Sequence, residues 1–376
     1  MIYREFQDIK LSALGFGAMR LPVIGGNDGQ IDEPAAFKMV DRAMEQGINY
    51  YDTAWGYHDG NSEIVMGKAL GKYQRDSYHL ATKFPGYDLS NMPKVKEIFE
   101  KQLEKCKVQY FDFYLFHNVC EMNIDAYLDE KYGIFEYLME QKKNGRIRHL
   151  GFSAHGSYEI MKRFLEAYGE HMEFCQIQLN YLDWSFQDAK AKVELLDSYN
   201  IPVWVMEPLR GGRLAKLQEA EVQKLKALRP EEEIPAWAFR FLQTLPNVTV
   251  VLSGMSSLEQ VEANILTFEE DKPLNDEEMK VLLSVAEGML NGILPCTACR
   301  YCTSHCPKGL DIPTLLDLYN EHSFTGGGFI APMALMAIPQ EKQPASCVGC
   351  RSCEKVCPQQ IKISEAMSDF VKKMGA

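Results

Sequence analysis

The chain has 376 residues, of which 46% are hydrophobic and 24% charged, and its formal net charge is −12. No apolar run approaches the roughly 20 residues that span a bilayer, and the opening residues MIYREFQDIK are too charged for a secretory signal. The acidic balance opposes nucleic-acid binding, and no basic patch overrules it. These features predict a cytoplasmic protein in a reducing compartment, with no nucleic-acid partner and no membrane span.

Short apolar segments alternate with helical patterns through the first 265 residues, which is typical of parallel strands joined by crossover helices. The predicted strands are residues 14–20, 49–54, 78–83, 112–117, 148–153, 175–180, 202–207 and 249–254. The predicted helices include residues 62–70, 93–106, 134–145 and 258–268, and a first helix capped by Asp32 and stopped at Gly47. Eight strand–helix pairs in about 250 residues match a closed (β/α)8 barrel. An open doubly wound sheet is the alternative, but no G-x-G-x-x-G motif follows the first strand.

Polar residues follow three consecutive predicted strands. Asp52 ends the second strand and leads to Tyr57, Lys83 ends the third, and His117 ends the fourth. In a barrel of this kind the chemistry lies at the carboxyl ends of the strands. An ammonium lowers the pKa of a neighbouring phenol and an aspartate holds the ammonium, so we expect Tyr57 to protonate a carbonyl oxygen that His117 steadies. Taken singly, each residue also fits a helix cap or an ordinary loop position.

The end of the chain carries one cysteine pattern twice, C-x2-C-x2-C-x3-C-P. The first copy is Cys296, Cys299, Cys302 and Cys306, and the second is Cys347, Cys350, Cys353 and Cys357. In this spacing three thiolates hold one cluster while the fourth reaches a different one, which predicts two 4Fe–4S clusters with exchanged fourth ligands. Two structural zinc ions are the alternative, but zinc usually takes cysteine pairs from separate knuckles. We expect a short I-x-I-like strand and then a helix after each copy.

The cysteine-dense tail and the cysteine-poor body indicate two domains, which we place at residues 1–285 and 286–376. A short tail rarely builds a sufficient apolar core unaided, so cluster binding is expected to fold it. From residue 296 onward there are 8 Lys and Arg against 7 Asp and Glu, which leaves 32 against 45 in the rest. The negative charge therefore belongs to the body.

The stretch YYDTAWGYHDGNSEIVMGKAL, with LATK and LFH further on, resembles the signature of the aldo-keto reductases over roughly residues 8 to 290. The resemblance implies a TIM barrel that binds a nicotinamide cofactor in an extended pose and transfers hydride to or from a carbonyl carbon. It also implies that Tyr57 is the general acid/base, that Lys83 and Asp52 tune it, and that His117 orients the carbonyl. With its tail, the chain resembles the iron–sulfur branch of the family, whose C-terminal domain is a mostly helical, ferredoxin-like two-cluster module.

The same resemblance implies a set of cofactor-binding residues at the ends of the last four strands. They are Ser153, Gln176, Met206, Pro208, Leu209, Arg210, Gly211, Arg213, Ser253, Gly254, Met255, Ser256, Gln260 and Asn264. Two features depart from the family at the nicotinamide end: Met206 replaces a stacking aromatic ring, and Ala154 replaces an asparagine that holds the carboxamide. The nicotinamide end is therefore expected to be looser than usual.

The phosphate end departs from the family as well. Gly254 and Gln260 stand where the family commonly places cations that grip the 2′-phosphate of NADPH. Arg210 and Arg213 are the candidates to replace those cations at the pyrophosphate. We therefore expect NAD(H) or NADP(H) as the cofactor, with NADH slightly favoured.

The sequence predicts an oxidoreductase that transfers hydride between a nicotinamide cofactor and a small carbonyl or alcohol substrate. The alternative is a cluster-coupled electron-transfer enzyme that works with an external ferredoxin or flavodoxin. A hydride carries two electrons and a cluster accepts one, so joining them normally requires a flavin or a stabilised radical, and the sequence reveals neither. The third hypothesis is a redox-sensing interaction protein built on a vestigial barrel. The complete set of four catalytic candidates argues against this hypothesis.

Overall fold

The structure is a computed structural model that describes residues 1–290, 293–296, 300, 302–357 and 359–375. The strands in the described residues are β1 (Tyr3–Phe6), β2 (Ile9–Ser12), β3 (Leu14–Gly17), β4 (Tyr50–Asp52), β5 (His79–Phe84), β6 (Phe111–Val119), β7 (Ile147–Ala154), β8 (Cys175–Gln178), β9 (Val203–Met206) and β10 (Val248–Gly254). The α-helices are α1 (Glu33–Glu45), α2 (Ser62–Leu70), α3 (Val95–Cys106), α4 (Ile124–Tyr127), α5 (Ile134–Lys143), α6 (Tyr158–Tyr168), α7 (Asp183–Phe186), α8 (Ala189–Ser198), α9 (Glu219–Leu228), α10 (Ile234–Gln243), α11 (Leu258–Thr267), α12 (Asp276–Met289), α13 (Ile312–Thr325), α14 (Ile330–Met336) and α15 (Ile363–Lys373).

Strands β3 to β10 form a closed barrel in the order β10-β3-β4-β5-β6-β7-β8-β9, and every neighbouring pair is parallel. The predicted (β/α)8 barrel is therefore confirmed. All eight predicted strands are present, although the first ends at Gly17 rather than at residue 20. Parallel order brings the carboxyl ends of all eight strands to one end of the barrel, where the polar strand-end residues converge.

Helix α1 shows how local sequence sets the element boundaries. The side chain of Asp32 accepts a hydrogen bond from the backbone N–H of Ala35 at 3.1 Å, which caps the first turn as predicted. Gly47 follows the helix with a φ of +85°, a conformation that costs glycine little. The helix therefore ends where the chain turns into β4.

A hairpin of β1 and β2 precedes the barrel, and the sequence pattern did not predict it. Phe6 from this hairpin is 5% exposed and packs with Phe113, Phe174 and Trp204. Its ring centroid lies 5.7 Å from that of Phe113 and 5.1 Å from that of Trp204. The hairpin thus adds an aromatic side chain to the buried core inside the barrel, which is a filled core and not a pore.

The tail is mostly helical, as predicted, but its described residues contain no β-strand after the cysteine motifs, so the predicted I-x-I strands are wrong. Instead Leu310 and Ile312, and Ile361 and Ile363, are buried beside α13 and α15 in one apolar core. Each pair lies at the start of a helix and is buried there. This burial of two alternate side chains does not require a paired strand.

The chain divides into two compact units, residues 1–286 and 287–376. The barrel belongs to the first unit, and helices α13 to α15 belong to the second. Within the described residues, none of the helices has both the length and the apolarity needed to cross a membrane.

Candidate functional site

Three of the four predicted catalytic residues are linked at the carboxyl end of the barrel. The Lys83 ammonium donates to Asp52 Oδ1 at 2.6 Å and to the Thr53 carbonyl at 2.8 Å, and it lies 3.4 Å from the Tyr57 hydroxyl. Lys83 is fully buried and Asp52 is 3% exposed. Because Asp52 and the Thr53 carbonyl hold the ammonium in place, its position relative to the Tyr57 hydroxyl is fixed by adjacent strands.

The electrostatics of Tyr57 differ from the expectation. Burial raises the pKa of Tyr57 and outweighs the positive charge of Lys83, which lowers it, while Asp52 raises it further. Burial acts in the opposite direction on Lys83, but the Asp52 carboxylate and Tyr57 raise the pKa of its ammonium overall. The ammonium stays charged and limits the rise in the pKa of Tyr57, but it does not bring that pKa below its ordinary value.

His117 lies next to Tyr57. The centroids of the two rings are 6.1 Å apart, and the angle between the ring planes is 80°. A register irregularity in β6 between Phe116 and Val119 contains His117, and such bulges commonly redirect side chains next to active sites. The Tyr127 hydroxyl donates to the His117 carbonyl at 2.7 Å, which fixes this part of the backbone. Burial, followed by the charge of Lys83, lowers the pKa of His117 well below its ordinary value, so its imidazole is neutral at neutral pH.

His155 is a second neutral histidine at this end, and it was not among the residues predicted from the sequence. Its ring centroid lies 6.2 Å from that of His117, and its buried Nε2 has no hydrogen-bond partner. Burial, aided by the charges of Lys83 and Lys192, lowers the pKa of His155 to about 3. The position of His155 in the sequence could have indicated it as a site residue, because it directly follows Ala154 at the end of β7.

A cleft of about 410 Å³ opens beside Asp52 and Tyr57, within the size range of small-molecule sites. Its walls come from the ends of β3, β8, β9 and β10 and from helix α11. Eleven of the predicted cofactor-binding residues line it: Gln176, Met206, Pro208, Leu209, Gly211, Ser253, Gly254, Met255, Ser256, Gln260 and Asn264. The loops after the last three strands therefore converge on one cleft, next to the proposed acid.

Three predicted cofactor residues do not line this cleft. Ser153 is buried, and its hydroxyl oxygen accepts from the Asn118 N–H at 2.8 Å. Arg210 is 7% exposed, and its Nε donates to the two carboxylate oxygens of Asp183 at 3.0 and 3.1 Å. Arg213 lies in the same loop but is not among the lining residues. The expectation that Arg210 and Arg213 supply the cation at the phosphates does not fit this geometry, since Asp183 already holds Arg210.

The cation in the cleft is Arg20, which was not predicted from the sequence. Among the described residues that line the cleft, Arg20 is the one lysine or arginine. Its Nη2 lies 3.2 Å from Glu207 Oε1, and Ser256 Oγ donates to the Arg20 carbonyl at 2.8 Å. A Cβ placed on Gly254 would come within 3.1 Å of Arg20 Cδ, so the glycine leaves room for the arginine side chain. The available signal was the position of Arg20, at the end of the first predicted strand.

A second, more open groove of about 640 Å³ is lined by Trp55, Tyr87 and Lys105. Lys105 is engaged there, because its ammonium lies 2.7 Å from Glu63 Oε2 and 4.5 Å from the centre of the Trp55 ring. Neither Asp52 nor Tyr57 is among the residues that line it. We therefore place the candidate active site in the cleft that contains those two residues.

The tail has two cavities lined by cysteines of both motifs. One is lined by Cys347, Cys350 and Cys353 of the second motif together with Cys306 of the first. The other is lined by Cys296 and Cys302 of the first motif together with Cys357 of the second. The predicted ligand Cys299 lies outside the described residues. In both cavities the last cysteine of one motif joins the leading cysteines of the other.

The described cysteines of these cavities do not form a single-ion site. Within the residues that the structure describes, no three His, Cys, Asp or Glu side chains are grouped to hold one metal ion. The cysteines are instead distributed around two spaces that also contain apolar side chains such as Ile363.

A (β/α)8 barrel with polar strand-end residues beside a cleft, followed by a cysteine-rich helical module, is the architecture expected of a barrel oxidoreductase with an iron–sulfur domain. Residues 13–287 match the model of the Aldo/keto reductase family, and residues 295–362 match that of a 4Fe-4S dicluster domain. The protein belongs to the aldo/keto reductase family and carries a C-terminal 4Fe-4S domain, which confirms the resemblance found in the sequence.

Three similar proteins match this chain over more than nine-tenths of their own length. An uncharacterized oxidoreductase of Bacillus subtilis, YqkF, is 26% identical over 309 residues, which cover 74% of this chain and 93% of the relative. The NADH-specific methylglyoxal reductase of Escherichia coli is 24% identical over 328 residues, 75% of this chain and 97% of the relative. The holo form of an aldo-keto reductase from Bacillus halodurans superimposes with a TM-score of 0.62 at 29% identity, covering 76% of this chain and 96% of that structure.

Proposed function

We propose that the protein transfers hydride between a nicotinamide cofactor and a small carbonyl or alcohol substrate, with Tyr57 as the general acid/base. The observation that carries this proposal is the linked set at the barrel end. Lys83 contacts Asp52 at 2.6 Å and lies 3.4 Å from the Tyr57 hydroxyl, and Asp52 and Tyr57 both line the cleft. A proton donor thus lies at the wall of a cavity of suitable size for an organic ligand.

The residues of the cleft fit a dinucleotide. Gln176 lines it and carries a buried Oε1 without a partner, an acceptor suited to an amide N–H such as that of a carboxamide. Ser256 and Arg20 line the same cleft. When bound, the nicotinamide ring would supply or accept the hydride. Met206 would contribute apolar surface where an aromatic ring is usual in the family.

The proton transfer can be assigned to this chain's own groups. The Tyr57 hydroxyl donates its proton to the carbonyl oxygen during reduction and recovers it during alcohol oxidation. Lys83 stabilises the resulting phenolate because its ammonium lies 3.4 Å from that oxygen. His117, as a neutral imidazole, donates a hydrogen bond to the same carbonyl and orients it without delivering charge.

Cofactor choice rests on the pair of Arg20 and Glu207. Glu207 Oε1 lies 3.2 Å from Arg20 Nη2 and neutralises the cation that a 2′-phosphate would need. A phosphate placed there would also meet the Glu207 carboxylate. We therefore favour NADH over NADPH, a choice that agrees with the name of the NADH-specific methylglyoxal reductase among the relatives.

For the tail we propose two 4Fe–4S clusters with exchanged fourth ligands. The cavity lined by Cys306 and the second motif would hold one cluster, and the cavity lined by Cys357 and the first motif would hold the other. The distribution of thiols around a space supports a cluster over the zinc alternative, in which four ligands meet at one ion.

The deciding experiment replaces Tyr57 by Phe in the full-length protein purified without oxygen. We expect kcat for reduction of methylglyoxal, chosen because a relative bears that name, to fall by about 10²- to 10⁴-fold. The Kd of NADH should stay within about threefold, because only the proton donor is lost.

The matched control is Tyr3→Phe. Tyr3 lies in the N-terminal hairpin, and this change removes its hydroxyl, which donates to the Gly47 carbonyl. It should leave kcat unchanged. If Tyr57→Phe kept the turnover of the parent on all carbonyl substrates that the parent reduces, the assignment of the acid would be wrong.

A further inference from the structure

The cavity lined by Cys306, Cys347, Cys350 and Cys353 lies close to the protein surface. Cys350 is exposed, and its neighbour Val348 is 58% exposed, whereas Cys353 at the inner side is 7% exposed. The loop that carries Cys350 therefore presents the cavity's edge to solvent.

The rim of this cavity is cationic. Lys308 is exposed, and the Arg351 side chain is 63% exposed, and both line the cavity. None of the described residues that line it is Asp or Glu. Lys342 adds a third positive charge, because its ammonium donates to the Lys308 carbonyl at 2.7 Å. Two carboxylates oppose these three cations. Glu365 lies 3.7 Å from Arg351, an exposed pair that is weak at that distance, and Glu354 accepts from the N–H of Ser364, which lines the cavity, at 2.9 Å.

The centre of this surface is apolar. Val348 is among the most exposed large hydrophobic side chains of the described residues, and Gly349 beside it has a φ of +67° with open space where a Cβ would lie. An exposed apolar tip with a charged rim is the usual composition of a small protein interface. We call the surface formed by Lys308, Lys342, Val348, Cys350 and Arg351 the basic loop surface.

We propose that the basic loop surface is the docking site of a small acidic one-electron carrier protein, and the proposal rests on the cluster assignment made under Proposed function. Cys306 and the second motif would hold the cluster at this surface, and that cluster would accept the one electron that the reduced carrier gives up, with no bond or proton transferred. The reverse direction uses the same contact.

The distribution of charge over the protein favours a small acidic protein as the partner. Residues 1–295 hold 32 Lys and Arg against 45 Asp and Glu, so an acidic carrier is repelled by most of the protein and attracted to the basic loop surface. Electron-transfer encounters also typically bury little area, which suits a surface defined by five residues. A nucleic acid or an anionic membrane would need a broad basic surface, which the acidic body opposes.

The test is stopped-flow reduction of the anaerobic holoprotein by a flavodoxin reduced to its hydroquinone, followed by the visible absorption of the clusters. At about 0.1 M salt, where the Debye length is roughly 10 Å, the double variant Lys308→Glu/Arg351→Glu should lower the second-order rate constant about tenfold. At about 1 M salt the parent and the variant should converge, because the Debye length falls to roughly 3 Å.

The matched control is Lys372→Glu. Lys372 is exposed and lies nine residues after Ile363 in α15, roughly 13 Å along the helix axis from the cavity wall. Its rate constant should stay within about twofold of the parent. Iron content and cluster midpoint potentials are measured for each variant. If the Arg351→Glu protein does not assemble its cluster, the single variant Lys308→Glu is used instead. Its second-order rate constant should be about threefold lower than that of the parent.

Three results would overturn the proposal: no reduction of the parent by the carrier, a rate constant independent of salt, or equal losses in Lys372→Glu and the double variant. Cosedimentation with phosphatidylserine vesicles that Lys308→Glu abolishes, without an effect on the carrier, would assign the surface to a membrane instead. NADH-driven carbonyl reduction and its loss in Tyr57→Phe are measured without any carrier, so failure of the docking site is distinct from failure of the proposed function.

Discussion

Arg20 and Glu207 form a contact that sets the charge at the wall of the cleft where we propose that the cofactor phosphates bind. Their side chains lie 3.2 Å apart, and the second Glu207 oxygen accepts from the Gly211 N–H, so the carboxylate is anchored beside the cation. This pair leaves little net positive charge for a 2′-phosphate.

Glu207→Gln should therefore shift cofactor selectivity toward NADPH. A charge-assisted hydrogen bond is worth roughly 1.5 to 3 kcal/mol, so the ratio of the NADPH Kd to the NADH Kd should fall about tenfold or more. Fluorescence titration with both cofactors measures this ratio. Arg20→Gln is the companion variant and should weaken both cofactors. An unchanged ratio in Glu207→Gln would mean that the adenosine phosphate lies elsewhere.

The pH profile of carbonyl reduction should follow from the pKa values of Tyr57 and His117, the two groups that we propose contact the carbonyl oxygen. The pKa of Tyr57 is raised above 10 by burial, so the phenol stays protonated through neutral pH, and activity should decline only as pH rises past that value. The pKa of His117 is lowered well below 6.5, so no loss of activity is expected on its account near that pH.

Lys83→Met should test the link between these groups. Without the ammonium the pKa of Tyr57 rises further, so we expect kcat to fall at least about tenfold and the alkaline limb to move to higher pH. The measurement is kcat across the pH range with a saturating cofactor. A limb in the same place as in the parent would show that Lys83 does not act on Tyr57.

At the scale of secondary-structure elements, Glu173 connects four segments. Its carboxylate accepts from Gln7 Nε2 at 2.9 Å and from the Leu150 N–H at 2.9 Å. It also pairs with Lys142 at 2.5 Å and with His149 at 3.0 Å. The hairpin turn, α5 and β7 are thereby tied to the segment that enters β8.

Burial opposes this arrangement, but the hydrogen bonds from His149, Lys142 and Gln7 outweigh it and lower the pKa of Glu173 to about 2. Because the folded pKa lies below the unfolded value, the stabilisation is present above about pH 4.3 and is lost as pH falls toward 2.

Glu173→Gln should therefore lower the free energy of unfolding of the barrel by about 1 to 2 kcal/mol at pH 7, a figure reduced for partial solvent exposure. The difference from the parent should shrink below about pH 4. Tryptophan fluorescence during urea unfolding reports on the barrel, since Trp55, Trp184, Trp204 and Trp237 all lie in the first unit. Glu97→Gln, an exposed site in α3, should change nothing, and equal effects of both variants would refute the assignment.

For the protein as a whole, the proposed exchange of cysteines would make the two motifs interdependent, because cysteines of both motifs line each cavity. The anaerobic protein should contain about eight irons per chain. Cys306→Ser should damage the cluster of the second motif, so its electron paramagnetic resonance spectrum should match that of Cys347→Ser. Cys302→Ser should instead resemble Cys357→Ser. Pairing of Cys306→Ser with Cys302→Ser, or two zinc ions with negligible iron, would contradict this arrangement.

Several features of the protein could be predicted because they are local in the sequence. The alternation of strands and helices, the Asp32 cap and the repeated cysteine spacing are each written within a few residues of chain. Parallel barrel order then brings strand ends together whatever the details of packing, so the sequence alone was enough to group Asp52, Lys83 and His117 at one end of the barrel.

The barrel, the iron–sulfur module and the strand-end candidates thus follow from local sequence patterns, whereas the pairing of side chains depends on the packing of remote elements. Arg20 and Glu207 are 187 residues apart, and Arg210 turns to Asp183 rather than to the cleft. Burial raises the pKa of Tyr57 and outweighs the nearby charge of Lys83, which lowers it. Such outcomes depend on distances and solvent exclusion between remote elements, which no local pattern encodes, because a charged side chain takes the partner that folding brings within reach.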